Sequence, residues 1–187
     1  MQMLGEPETY PDDSPLAARV RQVDHYTGLI EQLVLFGILA IVVLTGTAQA
    51  ISTKAFDKSL MWSFDVVRAG TFAIAMLGAA YATQQARHLS MDIVSRFVNP
   101  HTRLLMRIVL SLFVIFAAYL LLRSGLRLTE RVGAEGGHRG VVPMDAIAAM
   151  IPAGAGLVIF HTLLHLLIDV DYLRRGKTPP EKAVSGH

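Results

Sequence analysis

His161 and His165 stand four residues apart in the uncharged stretch from Ala146 to Ile168, the spacing that sets two imidazoles on one face of a helix. Two such rings in an apolar helix have the chemistry to ligate a metal or, with a ligand from another helix, a haem. One helix cannot supply both axial ligands to one iron, and His25, His88, His101 and His138 fall near or outside the ends of the apolar runs. The other chemistry open to the pair is hydrogen bonding to neighbouring helices or to a partner subunit near one membrane face. Arg123, Arg127 and Arg131 repeat every four residues and form one cationic stripe, suited either to lipid phosphates or to acidic groups of a protein partner. Asp65 and Arg68, three apart, are placed to neutralise each other on a helix. Glu31 opens the first apolar run, where an acidic residue suits a helix dipole. The chain has no cysteine, so thiolate metal sites are unavailable. No nucleophile elbow is present either, nor a convergent carboxylate pair deep in a span, and the sequence reads as that of a non-enzyme.

These groups need elements to hold them, and composition says which. The 187 residues are 52% hydrophobic and only 17% charged, with a mean hydropathy of +0.44. Soluble domains carry about a quarter charged residues, so the balance points to lipid. Four stretches are nearly free of charge: Gln32 to Thr53, Ala69 to Ala86, Ile108 to Leu122 and Ala146 to Ile168. Each matches or approaches the roughly 17 to 25 residues a spanning helix needs, the third by letting Arg107 and Arg123 snorkel. The fold class that follows is all-α, with four transmembrane helices plus short amphipathic interfacial helices. Ala48-Gln49-Ala50 superficially resembles a signal cleavage site, but some twenty polar and acidic residues precede the first run, which reads as a retained helix. The expected organisation is a tail and interfacial helix over 1–27, a membrane domain over 28–175 and a tail over 176–187. The net charge of +2 arises from Lys and Arg that flank the runs, which argues for membrane anchoring and against nucleic acid. Their bias places both termini in the cytoplasm. Gly154 and Gly156, with Ala153 and Ala155, predict a close helix contact, and Pro152 is expected in the first turns of the fourth helix.

Between the second and third runs lies QQARHLSMDIVSRFVNPH. Ser90 is suited to cap a helix with Asp92 in its first turn, and Asn99-Pro100 stops one. Met91, Val94 and Val98 share one side; Asp92, Ser95, Arg96 and Asn99 share the other. The spacing predicts a short amphipathic helix lying on the interface, with Arg87 and His88 marking where the second span leaves the membrane.

His88-Leu89-Ser90-Met91-Asp92 after an uncharged helix, Trp62, Asp65 and Arg68 in MWSFDVVRAG, and the prolines of Val142-Pro143 and Ile151-Pro152 resemble the small membrane subunit (DctQ-like) of tripartite ATP-independent periplasmic (TRAP) transporters. The resemblance in layout covers roughly Glu31 to Leu167. Phe64 stands where that family often has a second acidic residue, and Ala86-Arg87 where it has a glycine-glutamate pair. The resemblance implies a scaffold subunit of the bacterial inner membrane. It would work with a large permease subunit and a periplasmic substrate-binding protein to import organic anions on an ion gradient. Sodium would bind the large subunit only, leaving this chain with no cofactor of its own. The arginine stripe, Gly154, Gly156, His161 and His165 would then be candidate partner contacts. The alternative is a membrane-anchor or haem-binding subunit of a redox complex. An autonomous small transporter is a third reading, opposed by the scarcity of charges and broken helix pairs within the spans.

Overall fold

The computed structural model describes residues 14–95, 100–136 and 141–176, without the side chains of 84–95, 100, 101 and 103. Four helices fill these ranges: α1 Pro15–Phe56, α2 Met61–Ser95, α3 Pro100–Ala134 and α4 Met144–Arg174. All four are long and apolar enough to cross a bilayer, so the chain is an all-α, multi-pass membrane protein. Only helices satisfy every backbone polar group within a single lipid-embedded segment, which is why an uncharged run this long adopts no other form.

Local chemistry sets the ends. Ser14 caps α1 by accepting the Ala17 N–H at 3.0 Å, and Pro15 occupies the first position, where a missing N–H costs nothing. Asp57 ends α1 in the left-handed region at φ 51°. The tight corner to α2 is then held by Gln49: its Oε1 accepts the Leu60 N–H at 2.9 Å and the Ser63 hydroxyl at 3.0 Å, while its Nε2 donates to Ser59 at 3.1 Å. The residue at the centre of the cleavage-site lookalike is thus the clamp of the first hairpin.

α4 is the central helix. It packs extensively on α3 and α2 and more sparsely on α1, whereas α2 and α3 barely meet. Small residues set the close approaches. A Cβ added at Gly125 would fall 2.8 Å from Pro152 Cδ, and one added at Gly154 would fall 3.0 Å from Met76 Cβ. On the other side of α2, Gly70 faces Ile38 and Val42 of α1. The Gly154 contact is the packing interface expected from the sequence; Gly156 has open space beside it. Leu104, Ser111, Ala118 and Gly125 recur every seven residues as the buried row of α3, the seam spacing of antiparallel helix packing.

Three expectations change. The segment Leu16 to Tyr26 is the first part of the 42-residue α1 rather than a separate interfacial helix. α2 likewise runs unbroken through Ser90 to Ser95, so no new helix begins at Ser90; a helix already formed extends most cheaply by one more hydrogen bond per residue. Pro152 lies inside α4, two turns past its start, where it removes the helical partner of the Ala148 carbonyl. The ring fills the space left by Gly125, which is the compensating contact.

Candidate functional site

Residues buried on α1 facing α4 are small or acidic: Ala17, Gly28 and Glu31, with Asp24 on the same stripe at helical spacing. α4 presents His161, fully buried at 0% exposure. Its Nδ1 lies 2.8 Å from Asp24 Oδ1 and its Nε2 lies 2.8 Å from Glu31 Oε1. A neutral imidazole has one donor and one acceptor, and an acceptor nitrogen cannot face a bare carboxylate oxygen at this distance. The two contacts therefore hold two protons, either both on the ring or one on the ring and one on a carboxyl. In both arrangements the trio carries one net negative charge. Asp24 Oδ2 also lies 3.5 Å from His165 Nε2, so the two histidines on one face of α4 share one carboxylate of α1.

The seam continues toward the termini. Asp169 of α4, almost fully buried, stands 3.8 Å from Arg107 of α3. Asp171 accepts the Ser14 hydroxyl at 2.9 Å and pairs with Arg175. One side chain thereby ties the start of α1 to the end of α4. Gly28, also buried, lies between Asp24 and Glu31 on this face of α1, and polar contacts join it to α4 where the two helices pack only sparsely. Low dielectric makes such pairs strong when complete and costly when broken.

The structure sets His161 and His165 on one face as their spacing predicts; His161 hydrogen-bonds Asp24 and Glu31, and His165 stands within ion-pair distance of Asp24. Both ring nitrogens of His161 face carboxylates, which leaves neither directed at a common ligand position with His165. Among the described residues no group of three or more His, Cys, Asp or Glu has metal-holding geometry. Glu31 is not a residue of a helix start, since α1 begins sixteen residues earlier at Pro15; it is the buried partner of His161. Asp65 and Arg68 pair at 3.2 Å as expected, with Trp62 half-exposed beside them. The side chains of Arg87, His88, Ser90 and Asp92 lie outside the described residues. Arg123, Arg127 and Arg131 are all exposed on α3. Asp24, Asp169 and Gln49 were not legible as site residues, because only the partner helix reveals their function; the one sequence signal was an acidic or amide group at helical spacing from an apolar run.

The sequence matches the family described as tripartite ATP-independent periplasmic transporters, DctQ component, over residues 29–171. That range reaches all four helices and holds Glu31, His161 and His165, with Asp24 just before it. No individual curated protein matches the chain. With four spans in the family's layout and the match running through each of them, the chain belongs to the DctQ family, the small membrane component of TRAP transporters.

Proposed function

We propose that this chain is the fixed membrane scaffold of a TRAP transporter, acting with a large permease subunit and a periplasmic substrate-binding protein to import organic anions, driven by an ion gradient. The observation that carries the reading is the family match through all four spans. The architecture supports a scaffold over a substrate path. Substrate pathways use discontinuous helices, whereas each span here is one continuous helix and His161 joins α4 to Asp24 and Glu31 of α1. Any sodium site belongs to the permease in this scheme.

Purification of the tagged chain from its native membrane in mild detergent is expected to recover a much larger, many-helix permease, identified by mass spectrometry. Recovery with redox subunits, or alone with a Soret band in its visible spectrum, would overturn the scaffold reading in favour of a haem-binding anchor.

The membrane is the bacterial inner membrane and both termini face the cytoplasm. Arg19, Arg21, Arg174 and Arg175 flank that side, joined by Arg87, Arg103 and Arg107, as the positive-inside rule requires. A green fluorescent protein fused after His187 is expected to fluoresce in cells, and alkaline phosphatase fused there to stay inactive. The reverse pattern would invert the topology.

A further inference from the structure

The helix contacts fix which residues share a depth. Gly125 against Pro152 and Arg107 near Asp169 register α3 on α4; Gly154 against Met76 registers α2; Gly70 against Ile38 and Val42 registers α1. Counting along the helices from these points, Arg68, Arg131 and Asp145 lie at one level. Asp24 and His165 lie at another, about twenty residues or ~30 Å away, the thickness of a hydrocarbon core. Between them α1 offers LVLFGILAIVVL and α4 offers AIAAMIPAGAGLVIF, which belong in lipid.

Arg123 falls inside this slab. It is level with Gly154, eight residues below Arg131 and therefore about 12 Å beneath the charged layer. That is farther than an arginine side chain snorkels in full. Arg123 and Arg127 are exposed on the bundle surface, and among the described residues neither meets a carboxylate of this chain. They continue a stripe of Val109, Phe113, Phe116 and Leu120, which are 65%, 66%, 60% and 47% exposed. At about 100° per residue this stripe lies opposite the buried row of Leu104, Ser111, Ala118 and Gly125. An exposed arginine at such depth costs several kcal/mol facing acyl chains.

Resting on the scaffold reading, we propose that this outer face of α3 is where the large permease subunit docks, presenting an apolar helix surface with a carboxylate level with Arg123. A second copy of the chain does not fit. Two-fold pairing in a membrane would set α3 parallel to α3 and bring Arg123 against Arg123. The exposed apolar face of α1, with Leu33, Phe36 and Leu44, carries no charge in the slab and faces lipid.

A photoreactive phenylalanine analogue placed at Phe116 in the full complex, in native membranes, is expected to yield adducts with the permease; the same analogue at Phe36 is expected to yield lipid adducts. Arg123→Glu is expected to lower permease recovery at least about tenfold, as for breaking a desolvated charge pair, and Arg123→Lys to lose less. Fluorescence-detected size exclusion of each variant alone confirms that it folds. Permease adducts from Phe36 but not Phe116, adducts from Phe116 to lipid or to a second copy, or undiminished recovery with Arg123→Glu would each overturn the assignment while leaving the scaffold reading intact. Absence of any permease from the wild-type preparation would overturn both.

Discussion

Replacing His161 by leucine is expected to destabilise the protein by about 3–5 kcal/mol, the cost of removing one member of a buried ionic group. The loss does not come from the ring's packing, since leucine restores most of the volume. It comes from leaving Asp24 and Glu31 with no donor in an apolar interior. Glu31 is worse placed of the two, because its Oε2 is already buried without a hydrogen bond among the described residues. Asp24 retains His165 at 3.5 Å. The signature is therefore non-additive: adding Asp24→Asn and Glu31→Gln to His161→Leu should recover part of the lost stability, with the Glu31 change contributing more. Thermal unfolding in detergent, followed by size exclusion or intrinsic fluorescence, reads the four combinations. A His161→Leu protein as stable as wild type, or one that the two neutralising changes fail to improve, would show that no ionic group holds α1 to α4.

Gly125→Ala should be the second large effect, although it adds a single methyl and raises helix propensity by up to about 1 kcal/mol. The new carbon would sit 2.8 Å from Pro152 Cδ and 3.0 Å from the Pro152 backbone nitrogen. Neither atom can swing aside as a flexible side chain would, since both belong to a rigid ring fixed in α4. The helices must separate, and overpacking of this kind costs about 1–3 kcal/mol. Gly78→Ala is the control, because a Cβ there meets nothing within 4 Å; it should be neutral or stabilising. Equal thermal stability of Gly125→Ala and Gly78→Ala would remove the α3–α4 contact from the list of things that hold the bundle.

Both predictions turn on contacts across helices, and that is where the sequence stopped being readable. The i, i+4 spacing of His161 and His165 made one face of α4 legible. Nothing in the order of residues announced that Asp24, near the polar start of α1, would meet that face 137 positions away. Gly154 stood out because alanines and another glycine surround it, whereas Gly125 sits in RSGLRL with no such patch and yet makes the closer contact. Ser90 and Pro152 show the opposite failure. Each carries a local preference for a helix start, but each lies inside a helix, because extending an existing helix is cheaper than starting another and because Pro152 is compensated by α3.

Arg123 illustrates the division most sharply. Read along α3 alone, it ends an apolar run and belongs at the membrane surface. Read against α4 and α1 it lies well within the apolar zone, since Gly125 on Pro152 sets the register. The sequence by itself determined the number of spans, their helical form, the sidedness bias and the family, because each follows from local composition, the length of an apolar run and short motifs. Only the tertiary structure decided which polar groups satisfy one another and how deep each charge lies. Those depend on the relative register of helices, which is set by small-residue contacts and buried ion pairs between positions far apart in the chain.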